Sequence, residues 1–478
     1  MLATALLPAT DVLPLLAAAA SEVDLLVARN QMAFTLGWHI VLACFGVALP
    51  AMILVQHVRG LRGDADALVL AKRWAKVSAV LFAIGAVSGT VLSFEMGMLW
   101  PGLMGPFGDV IGLPFALEGI AFFLEAIFLG IYLYGWKGLP GRVHVLTLLP
   151  VVAAGLAGSF FILAVNGWMN APTGFDLVGG EVTNVDPIAA MFNDAVWIEW
   201  LHMLLAAYLV VSLTVAGVYA AGMLRGRDDR LHRLGIAVPL VFATVAALAQ
   251  PVVGHLAGNR VADEQPAKLA AMEGAWETEQ AAPLRLGGFY REGEGLVGAI
   301  EIPIPGLASL LAYNDPNATI VGLQDIPADE RPPAAIVHTS FQVMVAIGTA
   351  LALLLGWAAW RRWRDGGWPL ERRWFLAALV AGGPLAVVAL EAGWITTEVG
   401  RQPWIVYGLV RTEDAVTTVG NLLPGFAVLV TVYGLMTVGA VVVLRTMSRR
   451  WREGEEPDAP YGPPRPLADV GVDDEDWA

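Results

Sequence analysis

Nine stretches of this chain are each long and apolar enough to cross a bilayer, and that fact limits the fold more than any other. With no water in the hydrocarbon core, a spanning segment must satisfy its backbone internally, which leaves helices or a closed barrel. A helix needs about 20 apolar residues to cross. Such runs fall at 33–58, 74–98, 113–136, 144–166, 195–224, 234–254, 335–360, 374–397 and 422–446. The fold class is therefore all-α, a polytopic membrane protein of about nine transmembrane helices. The composition agrees, with 57% hydrophobic and 15% charged residues, against roughly 25% charged in soluble domains.

Lysine and arginine in the short loops set the orientation. Arg59, Arg62, Lys72 and Arg73 follow span one, Lys137 and Arg142 span three, and Arg225, Arg227, Arg230 and Arg233 span five. Five arginines follow span seven and four follow span nine, whereas 99–112 and 167–194 contain neither residue. This places the N-terminus outside and the C-terminus inside. Residues 1–32 read as an apolar N-terminal extension at the outer surface, without the basic start of a secretory signal. Residues 33–254 hold helices one to six. Residues 255–334 form a long polar extracytoplasmic loop, and such loops are functional or disordered. Residues 335–448 hold the last three helices, and 449–478 read as a disordered acidic cytoplasmic tail. The net charge of −14 gives no basic excess suited to nucleic acid. The single cysteine, Cys44, excludes an intrachain disulfide or a CxxC redox pair.

Ionisable groups at membrane depth cost about 2.5–3.5 kcal/mol at a helix centre, so they are functional candidates by default. His39, His202, Met344, Glu118, Glu125 and Glu398 all fall in the outer half of their spans, which suggests one electroactive layer that a redox centre would fill. Each also has a plain reading. His39 is as readily a hydrogen-bonded core histidine, His202 an interface residue beside the headgroup belt suggested by Trp197 and Trp200, and Met344 packing filler. His338 is the more obvious ligand in span seven. It lies six residues from Met344 on a different helix face, so the two do not both face one cofactor. His57, His144 and His232 sit beside basic residues and read as surface groups. Glu118 and Glu125, seven apart, share one helix face about 10 Å apart, stepping stones for a proton or an approach to a metal. Glu398, beside Arg401 and Trp404, suits an anionic group or a porphyrin propionate, or a salt-bridged helix cap.

The ordered motifs ARNQMAFTLGWH, GDVIGLPFALEGIAFFLEAIFLGIYLYGW, VNGWMN, KLAAMEGAWET, HTSFQVM and GWITTEVGRQPW resemble subunit I of the cytochrome bd-type quinol oxidases over nearly the whole chain from residue 28. The resemblance implies a haem-bearing subunit of an electrogenic, non-pumping terminal oxidase. Such a subunit oxidises quinol at the outer face and reduces dioxygen to water with cytoplasmic protons. It sits in the bacterial inner membrane with a second membrane subunit (subunit II) and small accessory subunits. The implied cofactors are two haem b, one low-spin and one high-spin, and one haem d. His202 and Met344 would ligate the low-spin haem, a pairing that leaves no open iron site and raises the potential. His39 and Glu398 would ligate the two high-spin haems. Glu118 and Glu125 match the acidic pair of the proton path, while Asn166, Trp394 and Arg401 match residues around the haems, Arg401 towards a propionate. Residues 255–334 resemble the short form of the quinol loop. In it Lys268 and Glu273 match the pair implicated in quinol oxidation, with Glu273 as general base. The plain reading of that pair is a solvated charged helix. One departure is Gln342, where some members carry an arginine two residues before the methionine ligand, so the low-spin haem loses a positive neighbour. A third haem b in place of haem d, as in cyanide-insensitive relatives, and a proton-coupled transporter are the competing readings.

Overall fold

The computed structural model describes residues 9–454, with side chains from residue 22. Among the described residues, nine helices are long and apolar enough to cross a membrane. They are α1 (Ala9–Leu61), α2 (Ala65–Leu99), α3 (Pro101–Tyr134), α4 (Leu148–Asn170), α5 (Val196–Leu224), α6 (Arg230–Glu264), α8 (Ala334–Asp365), α9 (Arg373–Gly400) and α10 (Leu423–Arg452). A short helix α7 (Pro266–Glu273) follows α6 directly. The spans outrun their apolar runs because polar ends continue the same helices. α1 is continuous from Ala9, so no boundary falls at 32, and α6 carries on through 255–264. The reading of the tail as disordered lies outside the described residues beyond 454.

Helix neighbours define two four-helix groups. α5, α6, α8 and α9 close one ring, and α1 to α4 close the other. The rings meet where α5 lies against α1 and α4, and α10 leans on α1 and α2. Just 6% of the apolar window of α10 is buried, and Leu435, Val428 and Val438 face outward. α5 and α9 approach closely because glycines stand at the crossing, as is common between membrane helices. A Cβ on Gly217 would lie 2.8 Å from the Leu379 carbonyl oxygen, and one on Gly383 2.9 Å from the Thr214 Cα.

At one end of the bundle the short turns are held by charge. Asp64 caps α2 by accepting from the Ala67 N–H (3.3 Å) and pairs with Arg230 (2.7 Å) and Arg59 (2.9 Å), tying the α1–α2 turn to the start of α6. Arg230, aided by Arg59, holds the Asp64 carboxyl well below its usual range. The stability this contributes is present at neutral pH and is lost as the pH falls through that depressed value. His57 and His144, expected at the surface, are buried at this end. His57 stacks on Trp136 with centroids 4.9 Å apart, and its Nδ1 lies 3.1 Å from the Tyr132 hydroxyl. His144 Nε2 donates to the Tyr132 carbonyl (2.7 Å). Nearby Lys72 does not keep them in solvent because its ammonium caps the Trp136 face at 5.3 Å. His232 bonds Asp229 at 2.8 Å.

The other end carries the long connections. Residues 274–333 are ordered, built from short antiparallel pairs: Glu279–Gln280 with Thr319–Ile320, Arg285–Leu286 with Ile300–Glu301, and Phe289–Arg291 with Gly295–Val297. Leu269, Ala282, Ala308, Ala312 and Ile320 form a small core that seats this unit on α6 and α7. Putting a valine at Gly383 forces α9 from α5. Gly383→Val is expected to cost about 1–3 kcal/mol through over-packing, read as a lower thermal unfolding midpoint in detergent. An unchanged midpoint would contradict the close crossing.

Candidate functional site: a cavity shared by both helix groups

Between the two rings lies a cavity of about 1530 Å³, larger than the 300–1,000 Å³ usual for one small ligand. All eleven candidate residues read from the sequence line it. They arrive from separate helices: His39 from α1, Glu118 and Glu125 from α3, Asn166 from α4, His202 from α5, Lys268 and Glu273 from α7, and Met344 from α8. α9 contributes Trp394 and Glu398, and Arg401 follows at its end. Apolar side chains form most of the wall between them.

The two histidines are held differently. The Ser88 hydroxyl donates to the Gly85 carbonyl (2.9 Å) and so accepts the Nδ1–H of His39 (2.7 Å). That fixes the ring and leaves the Nε2 lone pair, the arrangement typical of a metal-binding imidazole. In His202, the Gln250 amide donates to Nε2 (3.1 Å), and Nδ1 is buried with no partner. The Met344 sulfur fits against Gly393, where a Cβ would come within 2.7 Å. His338, the obvious ligand candidate of this span, does not line the cavity. It is 1% exposed and bonds backbone carbonyls of the loop.

A polar network runs from α7 to the end of α9. Lys268, expected in solvent on the plain reading, is 4% exposed. Its ammonium donates to Asn170 Oδ1 (3.1 Å), and Gln265 donates to the same side chain (3.3 Å). Asn170 in turn donates to Glu199 Oε1 (3.2 Å). Asn166 donates to Glu398 Oε1 (2.7 Å), and Arg401 pairs with Glu398 Oε2 (2.5 Å). Arg401 is 2% exposed, yet its Nε and Nη1 have no partner, nor does Glu199 Oε2. A buried donor without a partner costs about 1–3 kcal/mol, so these atoms await an anionic or polar group. An iron porphyrin fits this donor set: imidazole, thioether and carboxylate for the metal, unpaired guanidinium donors for its carboxylates, and apolar walls for the ring. Glu398 is engaged by Asn166 and Arg401, the salt-bridged cap foreseen for this pair.

At α7, burial pushes the Lys268 ammonium down from its usual range. Arg401 acts the same way, and the carboxylates of Glu199 and Glu398 oppose it. Burial likewise pushes the Glu273 carboxyl up to about 7, and the cation of Arg285 pulls against it. Arg285 is itself paired with Glu279 (2.9 Å) and Glu301 (3.4 Å). A small pocket of about 10 Å³ between Glu273, Glu279 and Arg285 has room for one water.

Glu199, Asn170, Glu391 and Glu95 are functional candidates that the sequence reading passed over. Glu199 precedes His202 by three residues, one helical turn, and Asn170 ends the VNGWMN motif. Those two positions were legible signals. Glu391 is two residues before GWITTEVGRQPW, and its Oε1 has no partner. Glu95, 1% exposed, accepts from Gln31 (2.8 Å) and Thr35 (3.2 Å), with Oε2 unpaired.

Residues 27–451 match the family model described as cytochrome bd terminal oxidase subunit I. The chain is 36% identical over 430 residues to a putative cytochrome bd menaquinol oxidase subunit I of Bacillus subtilis, covering 88% of this chain and 96% of that one. It is 27% identical to the cytochrome bd-II ubiquinol oxidase subunit 1 of Escherichia coli, covering 88% and 95%. Among solved structures it resembles the bd oxidase from Geobacillus thermodenitrificans, with TM-score 0.83 and 39% identity over 89% of this chain and 98% of that one.

Replacing Asn170 by leucine strips Lys268 of its acceptor and Glu199 of its donor. We expect a loss of about 1–3 kcal/mol per orphaned group, seen as a lower unfolding midpoint. Thr431→Ala, whose hydroxyl bonds the Ala427 carbonyl of its own helix at an exposed position, is the control, expected within about 0.5 kcal/mol of the parent.

Proposed function

Because this chain belongs to the cytochrome bd terminal oxidase subunit I family, a family of haem-bearing quinol oxidase subunits, we propose that its cavity holds two haem b and one haem d between these side chains. One observation carries the reading. A single large, mostly apolar cavity collects the imidazoles of His39 and His202, the Met344 thioether, the carboxylates of Glu118, Glu125, Glu273 and Glu398, and unpaired buried donors from both helix groups. Bound there, the haems would supply electron transfer from quinol to dioxygen.

The chain's own residues then have separable tasks. His202 and Met344, on α5 and α8, hold the low-spin haem. His39, oriented by Ser88, and Glu398, oriented by Asn166 and Arg401, hold the high-spin pair. Arg401 would turn its two free donors to a propionate, and Trp394 is an aromatic wall at the haem cluster. Glu273 accepts a quinol hydroxyl proton, and buried Lys268 sets the charge beside it. Glu118 and Glu125 hand protons along one face of α3 towards the site of oxygen reduction.

The arginine-rich end lies in the cytoplasm and the loop end outside, in a bacterial inner membrane. Residues 255–334 then form the extracytoplasmic quinol-binding part, with 33–254 and 335–448 the membrane part. Protons are released outside from quinol and taken up inside, so charge separates without a pump. The partner is subunit II, with small accessory subunits beside it. A third haem b in place of haem d keeps the same side chains, and pyridine haemochrome analysis separates the two.

Two outcomes test these assignments. His202→Ala or Met344→Ala should abolish the reduced low-spin haem absorbance of the purified complex, and an intact band would remove that residue from the ligand set. A general base works in its charged form. With the Glu273 carboxyl near 7, quinol kcat/KM should rise as pH passes upward through about 7, and Glu273→Gln should flatten that limb. A limb that survives the substitution assigns the base elsewhere.

A further inference from the structure

Two side chains one helical turn apart on α8 grip the quinol loop by its backbone. His338 Nδ1 donates to the Met272 carbonyl (2.8 Å), and its Nε2 faces the Gly287 carbonyl at 3.2 Å. Gln342 Oε1 accepts from the Gly287 N–H (3.3 Å), and its Nε2 donates to the Arg285 carbonyl (3.4 Å). Both polar ends of one peptide position, Gly287, are thus held from the same helix face. Between these residues Phe341, with Val337 a turn earlier, joins the apolar cluster of Met272 and Leu323, so an apolar contact accompanies the polar grips.

The gripped backbone is not arbitrary. Met272 immediately precedes Glu273, and Arg285 is the cation that acts on the Glu273 carboxyl. The acid and its countercharge approach from different parts of the loop, α7 and the 285–301 hairpin. Their relative position is referred to a common helix through these contacts. That helix places the Met344 sulfur against α9, only two residues beyond Gln342.

We propose that His338 and Gln342 are positioning residues for quinol oxidation: by pinning Met272 and the Arg285–Gly287 backbone to α8, they set Glu273 against Arg285 and hold both at a fixed place relative to Met344. This deepens the assignment of Glu273 as the quinol base and rests on it. It also gives Gln342, where some family members carry arginine, a role towards the loop rather than towards a haem.

The test uses the purified complex with Gln342→Met, which keeps the volume and removes both bonds, and His338→Phe. Losing two hydrogen bonds should raise quinol KM about tenfold, with kcat falling less. Release of Arg285 should move the rising pH limb to higher pH, because Glu273 loses its cation. Amide hydrogen exchange at 285–288 should quicken, and the reduced haem spectrum should stay that of the parent. Unchanged exchange and an unchanged pH limb would overturn the proposal, as would loss of the low-spin band with normal KM, which would place Gln342 in the haem pocket. Should His338→Phe fail to assemble, Gln342→Met carries the test alone. The quinol reading fails on a different result, normal quinol turnover with its pH limb intact in Glu273→Gln. Exchange at 285–288 in the α8 variants still reports the grip in that case.

Discussion

Hydrocarbon gives a polar atom nothing to bond, and this constraint orders every level of the protein. It makes the chain helical, because only a helix satisfies its own backbone across the bilayer. It also makes each buried side-chain donor or acceptor in the spans a debt that some partner must settle. At Glu95 and Glu398 neighbouring side chains settle most of it. In the cavity they do not, since His202 Nδ1 and Arg401 Nε and Nη1 stand without partners among the described residues. A wall that is mostly apolar, with a few aimed lone pairs and guanidinium donors, suits a large flat apolar group carrying a metal and carboxylates.

The two helix rings meet along this cavity, so neither alone forms the site. His39, Glu118 and Glu125 come from one ring, and His202, Met344 and Glu398 from the other. The 255–334 loop is seated on the second ring, through α6, α7 and the first turns of α8. Lys268 reaches Asn170 of the first ring, so the loop, both rings and the end of α9 share one hydrogen-bonded frame. A site assembled from so many elements tolerates little relative movement, which fits the close glycine crossing of α5 and α9.

Much of this was legible in the sequence because the bilayer writes its demands in one dimension. All nine spans follow from apolar run length, and the eleven candidate residues followed from depth or from the family motifs. What was missed needs three dimensions. His57 and His144 lie next to arginines and a lysine in sequence, but the packing of Tyr132 and Trp136 buries them. His338 was the more obvious ligand by residue type and the family motifs pointed instead to Met344; in the fold the loop backbone takes both nitrogens of His338. Glu199 could have been found one turn before His202. Glu391 and Glu95 sit in spans whose apolar averages conceal a single acid. The long loop read as polar and uncommitted because its core is made of alanines from distant positions, each too small to stand out in composition.

Occupancy of the cavity decides the function. An experimental density map of the purified complex should show three macrocycles within it, with His39, His202, Met344 and Glu398 at iron and Arg401 against a propionate. Density for lipid or water alone, with those four side chains packed on one another, would contradict the haem-bearing reading outright.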